Sequence, residues 1–350
     1  MKNGAVLTIG GKSFRRGERG HVDLPVGRLV SYAELNLRVH VIRGRRPGPV
    51  LFVTAGVHGD ELNGIEIARR LVRRNYRGLI GDLLIVPVVN VASFLLRSRY
   101  LPDRRDLNRL FPGNADGSFG SRIARILMDE VVKKATHGVD LHTAAAGRIN
   151  LPQTRLADRI EGSREMAKAF GAPVMLKAGN REGSLRAACE KIGLPYVIFE
   201  AGEALRIELP AVTFGERGVR RVMRGLGMLP KKSKDQDHPS AYCLGSNWIR
   251  ASAGGLFRSF VPLGKAVEEG QVVGMIGDPF GKVETEVVVD RAGIVIGRTT
   301  ASLVDEGDAL FHVAQSKASP ERVEEGIIRS AEKVLPEMER PPYRDSHAAK

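Results

Sequence analysis

The feature that constrains this chain most is a strand that runs into a ligand-rich turn and then a helix. Val50-Leu51-Phe52-Val53-Thr54 is a short apolar, β-branched run between Gly48-Pro49 and Gly56, the pattern of a buried strand. Leu62 to Arg74 follows, with Ile65, Ala68, Leu71 and Val72 on one helical face and arginines on the other. Between them stands Gly56-Val57-His58-Gly59-Asp60-Glu61. His58 and Glu61 therefore leave the carboxyl end of a strand, where open α/β sheets collect ligands. An imidazole and a carboxylate three residues apart can converge on one point, and Zn²⁺ accepts both.

A catalytic zinc takes three protein ligands and keeps one position open. The third candidate is His142, at the end of Gly138-Val139-Asp140-Leu141-His142-Thr143, a second short apolar run finishing in a polar residue. Alone, such a histidine is more often structural; two strand ends finishing in ligand chemistry are what raise it to a candidate. Asp140 shares the His142 face of that strand, and either orients a metal-bound histidine or is simply a buried, hydrogen-bonded carboxylate. Pro195-Tyr196-Val197-Ile198-Phe199 is another strand, ending in Glu200. A carboxylate there can move a proton between an attacking water and a departing nitrogen; Glu203 is its neighbouring rival. The basic loop Arg97 to Arg105 leads to Asp106-Leu107-Asn108-Arg109. Guanidinium groups of this kind pair bidentately with carboxylate.

Composition sets the limits. A chain of 350 residues with 43% hydrophobic content is long enough for a large core and a smaller module. Met1 to Gly20 lacks the apolar stretch of a secretory signal, and no run approaches the ~18 residues of a membrane span. Cys189 and Cys243, the only two cysteines, exclude a disulfide framework and a cysteine zinc cluster; a reducing cytoplasm fits best. Residues 1–50 hold ten Lys/Arg against three Asp/Glu, within a net charge of +14. Such a surface attracts polyanions, but aromatic residues are only 5% and no basic stripe is interleaved with stacking platforms. The charge is better suited to drawing in anionic small molecules than nucleic acid.

Along the rest of the chain, Ala5–Thr8, His21–Val26 and Leu35–Val41 read as strands, the last as a half-buried edge strand of a hairpin. Leu83–Val89 is a strand whose Pro87 argues for an edge or a strand end. Asn90–Leu96 reads as a short turn or helix, and Ser121–Lys134, Asp158–Phe170, Ser184–Ile192 and Leu209–Gly227 as helices. Residues 231–242 form a polar boundary without periodicity. They separate an α/β unit over 1–230 from a glycine-rich run of short strands over 243–315. Residues 316–350 carry one helix, Glu321 to Leu335, and then a mobile tail.

The ordered motifs His58-Gly-Asp-Glu61, Asp106-Leu-Asn-Arg109, Asp140-Leu-His-Thr143 and Phe199-Glu-Ala-Gly202 resemble the succinylglutamate desuccinylase/aspartoacylase family. The longer Pro102…Gly113 form and the C-terminal β module are most similar to its N-acyl-diaminobutyrate deacylase-like members. The resemblance spans about residues 30–315 and implies a zinc carboxypeptidase-like α/β fold, a mixed central sheet flanked by helices. It implies a zinc-dependent hydrolase of linear amides, with one zinc per chain on His58, Glu61 and His142, and Glu200 as general base and acid. Asn108 and Arg109 would grip the carboxylate of a small anionic N-acyl amino-acid-like substrate. Arg99 would polarise the carbonyl, with Arg97 its competitor. A metallocarboxypeptidase trimming peptide C-termini and a non-enzymatic basic scaffold are the alternatives, and a homo-oligomer is left open. The C-terminal strands resemble a biotinyl/lipoyl-type β-barrel, Val267…Gly270 being echoed by Val304…Gly307. Its turn Asp278-Pro-Phe-Gly-Lys282 lacks the acylation context of a carrier lysine and is expected to cap the mouth of the site.

Overall fold

The computed structural model describes residues 6–156, 159–231, 240–316 and 318–332. Its backbone is a mixed twelve-stranded sheet. At the centre four parallel strands lie in the order Ile80–Val86, Arg46–Ala55, His137–Ala144 and Tyr196–Glu203. All four are buried on both faces over most of their length, as strands covered on both sides must be. From Arg46–Ala55 the chain passes through a helix to Ile80–Val86 on one side, and later returns as His137–Ala144 on the other. The crevice where the strand order reverses is where such sheets bind ligands.

The helices Leu62–Arg73, Ser163–Phe170 and Leu209–Gly225 cover one face, burying Ile67, Leu71, Met166, Val219 and the stacked Phe170, Phe199 and Phe214. Phe119–Glu130 and Leu185–Lys191 cover the other, with Ile123, Leu127, Leu185 and Ala188 in its core. Full burial of each large side chain contributes ~1.5–3 kcal/mol before conformational entropy is set against it. Helix Leu62–Arg73 begins one residue after Glu61, which occupies the N-cap position yet caps nothing with its side chain. That carboxylate is turned away, toward two histidines.

Several sequence expectations change. Glu34–Arg43 lies inside the sheet, and the edge belongs to Arg19–Arg28. Ile80–Val86 is also interior; Pro87 lies just past its end, where no ladder hydrogen bond is lost. Three strands of the α/β unit went unread, Lys12–Arg15, Arg148–Leu156 and Val174–Lys177. The helix expected from Asp158 spans Ser163–Phe170. The boundary over 231–242 and the tail lie largely outside the described residues; the last helix spans Pro320–Glu332.

The C-terminal strands split in two. Ala241–Arg250, Ala266–Val267, Gly293–Thr299 and Ala309–Ser316 extend the central sheet, which Ala241–Arg250 joins through Val174–Lys177. A separate four-stranded sheet, including Gly255–Ser259, Val272–Gly277 and Glu284–Val288, shares an apolar core with them around Phe257, Val273, Phe311 and Val313. The module is thus continuous with the main sheet by hydrogen bonding. Asp278 ties its own turn by accepting from the Phe280 and Lys282 amides.

His312, on Ala309–Ser316, stacks on Trp248 with ring centroids 4.3 Å apart and an interplanar angle of 7°. Burial, aided by Arg155, pushes its pKa down to about 3. A histidine held neutral in the fold but protonated below its ordinary 6.5 when unfolded costs stability as pH falls from 6.5 toward 3. Between pH 7 and pH 5 this group should cost up to about 2 kcal/mol. Urea unfolding at the two pH values should show that the His312→Phe variant loses less stability on acidification than the parent; equal losses would contradict the assignment.

Candidate active site

Three side chains from two strand ends meet at the crevice. His58, Glu61 and His142 are 3%, 1% and 5% exposed, and one donor atom from each lies within 4.8 Å of the other two. Glu61 Oε1 lies 2.6 Å from His58 Nδ1, and Glu61 Oε2 lies 2.7 Å from His142 Nδ1. The other ring nitrogens face outward. His58 Nε2 meets Asp106 Oδ1 at 3.1 Å, and His142 Nε2 meets Asp140 Oδ2 at 2.8 Å. Each imidazole is thus held by a carboxylate behind Nε2 and presents Nδ1 to a common point beside a third carboxylate. That is the arrangement carboxylate–histidine–metal sites use to fix tautomer and ring orientation.

The local backbone makes this convergence feasible. The turn carrying His58 packs against the short helix Val91–Leu95 so closely that a Cβ on Gly59 would lie 2.1 Å from the Ser93 carbonyl carbon. Only glycine fits there. Asp140 is fully buried and accepts from Thr54 Oγ1 at 2.7 Å and Tyr196 Oη at 2.8 Å as well as from His142. The carboxylate that orients His142 is therefore itself immobilised.

The electrostatics follow from the packing. Burial would raise Glu61, but the imidazoles of His58 and His142 outweigh it and hold the carboxyl well below the usual range. Burial likewise opposes protonation of His142, and Asp140 and Glu61 overcome it. Asp106 is held low by its hydrogen bond from His58, by Arg99 and by the Asn108 amide, against its own burial. Buried anionic oxygens shared between two imidazoles form a donor set that a divalent cation of zinc's type satisfies.

Around this centre is a cavity of about 420 Å³. Arg99 reaches its floor, with Nη1 3.2 Å from Glu61 Oε1 and Nη2 3.3 Å from Asp106 Oδ2. Arg97 is exposed and lies outside the cavity lining. Asn108 and Arg109 line the cavity, and Asn108 Oδ1 accepts from the Leu185 amide at 2.9 Å. This contact needs Gly183, whose φ is +72° and whose Cβ position would fall 2.2 Å from the Arg109 carbonyl oxygen. Glu200 also lines the cavity, in register with His142 on the neighbouring parallel strand. Its Oε2 accepts from Asn150 Nδ2 at 2.6 Å and lies 3.0 Å from Arg155 Nη2. Glu203 faces away, accepting from the Gly147 amide and Thr300.

Sequence reasoning missed Asn150 and Arg155, which hold Glu200, and Thr54 and Tyr196, which hold Asp140. Asp106 was read within its motif but given no partner. Of the C-terminal strands, Trp248 lines the cavity, and the turn at Asp278–Lys282 is not part of that lining.

An α/β fold with a buried His-Glu-His group at the sheet's switch point is the class that the geometry defines. Residues 47–226 match the succinylglutamate desuccinylase/aspartoacylase catalytic domain, and the chain belongs to that family. It is 28% identical to the N-alpha-acetyl-L-2,4-diaminobutyric acid deacetylase of Halomonas elongata, over 85% of this chain and 91% of that one. It is 29% identical to a succinylglutamate desuccinylase of Pseudomonas aeruginosa, over 60% of this chain and 66% of the relative. Among solved structures, it superposes with a TM-score of 0.77 on a succinylglutamate desuccinylase/aspartoacylase of Rhodobacter sphaeroides, at 26% identity, covering 86% of this chain and 97% of that one. With the product-bound ectoine utilization protein EutE (DoeB) of Ruegeria pomeroyi the TM-score is 0.78, at 25% identity, covering 86% and 96%. Among the described residues no helix is long and apolar enough to cross a membrane.

If Asp140 orients His142 for a metal, replacing it should weaken metal binding without removing a ligand. Competition with a chromogenic chelator should show Asp140→Asn binding zinc roughly 10- to 100-fold more weakly than the parent. Unchanged affinity would mean that Asp140 serves the fold alone.

Proposed function

We propose that this protein hydrolyses the amide bond of an N-acyl amino acid at a single zinc held by His58 Nδ1, His142 Nδ1 and the Glu61 carboxylate. The observation that carries this reading is the pair of imidazoles, each backed by a carboxylate at Nε2 and aimed by Nδ1 at one buried point. Bound there, the ion would supply Lewis-acid polarisation of the substrate carbonyl and bring the pKa of a water toward ~7.

The remaining steps belong to this chain's side chains. Glu200 takes the proton from the attacking water and gives it to the leaving nitrogen. Its two protein contacts both fall on Oε2, which leaves Oε1 to carry that proton across the cavity. Arg99, at the cavity floor beside Glu61 and Asp106, directs Nη1 and Nη2 to where negative charge develops on the carbonyl oxygen. Loss of one such donor costs on the order of 3 kcal/mol in the transition state. Asn108 and Arg109 orient the substrate carboxylate, Asn108 being fixed by the Leu185 amide, which converts part of the entropic barrier into binding. The match to relatives named as a deacetylase and as desuccinylases supports the amide as the bond broken.

The decisive variant is Glu200→Gln. It should fold and bind zinc like the parent while kcat on an N-acyl amino acid falls by about 10³-fold or more. A variant that keeps turnover within a few-fold of the parent would remove Glu200 from the reaction.

A further inference from the structure

Part of the basic surplus of residues 1–50 gathers at the amino ends of the central parallel strands, away from the candidate active site. Arg46 opens the strand Arg46–Ala55, and Leu79 immediately precedes Ile80–Val86. His58, Glu61, His142 and Glu200 belong to the carboxyl ends. At ~3.3 Å per residue, a strand of this length puts about 20 Å between the two ends. The chain leaving helix Leu209–Gly225 reaches the same place, the Met228 carbonyl accepting from the Ile80 amide at 3.0 Å. Two adjoining clefts open here, of about 630 and 470 Å³, and share Asn75, Tyr76 and Arg77 in their lining. Together they are lined by eight arginines, no lysine and one carboxylate, Glu18.

The fold answers only some of these charges. Glu18 is engaged in its own turn, its Oε2 accepting from the Arg15 amide. The buried Asp82 is taken by Arg43 at 3.2 Å and by Arg16 at 2.6 Å, and Glu216 is taken by Arg74. Arg19 donates to the Arg74 carbonyl at 2.9 Å. Among the described residues, Arg45, Arg46, Arg77 and Arg220 form no ion pair. The carboxyl ends of helices Leu62–Arg73 and Leu209–Gly225 contribute only about −0.5 charge each, too little to offset four guanidinium groups. Arg220 feels the imbalance. Burial pushes its guanidinium below its ordinary pKa, and Arg74 and Arg224 push the same way, against Glu216 and Tyr76. Tyr76 Oη donates to the Leu71 carbonyl at 2.9 Å, so its hydroxyl is committed and its ring is what remains to a ligand.

We propose that these two clefts form a second ligand site, for a small polyphosphate anion. Arg45 and Arg46 hold one part of the phosphate chain and Arg220 the other, with Arg77, common to both clefts, between them. Guanidinium forks pair bidentately with phosphate oxygens, which suits a lining of arginines without lysine. An anion of one charge would leave the remaining guanidiniums unanswered, whereas a chain of phosphates meets several at once. Each cleft has the size of a small-molecule site. The phosphate chain can be inorganic or belong to a nucleotide.

Calorimetry on the full chain reads the site with four probes: orthophosphate, tripolyphosphate, adenosine triphosphate and a short single-stranded thymidine oligonucleotide. Tripolyphosphate, the nucleotide or both should bind at least about tenfold more tightly than orthophosphate. The Arg45→Gln/Arg77→Gln double variant changes two exposed side chains; it should fold like the parent and bind the preferred probe about tenfold more weakly or worse. Arg109→Gln, in the cavity of the candidate active site, should leave that binding unaltered. A nucleotide that binds more tightly than tripolyphosphate would make the ligand a nucleotide stacked on Tyr76; one that binds no better would make it the phosphate chain itself. Failure of both to bind more tightly than orthophosphate would overturn the site. An affinity unchanged in the double variant, as chelation of a bound metal would give, or lost in Arg109→Gln, would overturn it too. So would an oligonucleotide that outbinds both polyphosphates and loses its affinity in the double variant, because the clefts would then belong to a nucleic-acid surface.

Discussion

Glu61 is the hinge of the structure's chemistry. A fully buried carboxylate is costly unless its charge is met, and here each oxygen meets the Nδ1 of a different imidazole. Two strands and a helix have to be in register for this. His58 and Glu61 leave the strand Arg46–Ala55, His142 ends the neighbouring parallel strand, and helix Leu62–Arg73 starts where Glu61 points inward. The carboxylates of Asp106 and Asp140 behind the rings extend the alternation of charge outward, so that no ionised group in the cluster stands alone.

A small irregularity places the side chains that hold Glu200. Along the strand pairing of Tyr196–Glu203 with Arg148–Leu156, Glu200 faces Gln153 and Gly202 faces Asn150. Two steps on one strand are matched by three on the other, a β-bulge. In a regular strand Asn150 and Arg155 would point to opposite faces. The extra residue brings both to the Glu200 side, where they hold its carboxylate. The same strand also pairs with Gly293–Thr299, so the C-terminal strands brace the wall that carries Arg148 and to which they add Trp248.

Much of the centre could be read from the sequence because its residues sit where apolar runs stop. His58 and Glu61 follow a strand, and His142 and Glu200 lie near the end of one, whose hydrophobic pattern is local and strong. Asn108 and Arg109 travel in one contiguous motif. What escaped notice depends on long-range pairing. Arg148–Leu156 mixes arginines with Pro152 and gave no alternating pattern to recognise, because its alternation is broken by the bulge itself. Tyr196 and Thr54 looked like ordinary strand residues; only the packing reveals that they bond to Asp140. The union of the C-terminal strands with the main sheet leaves no mark in local composition either, since a strand's neighbour is chosen by tertiary contacts.

The central claim is that one divalent ion sits on the Nδ1 atoms of His58 and His142 beside Glu61. Anomalous diffraction at the zinc edge from crystals of the zinc-loaded protein tests it most directly. The account predicts one strong peak per chain, about 2.0–2.1 Å from both Nδ1 atoms and within about 2.2 Å of a Glu61 oxygen. A peak on the Nε2 side, a peak at another group of residues, or no ordered peak in this crevice would contradict it.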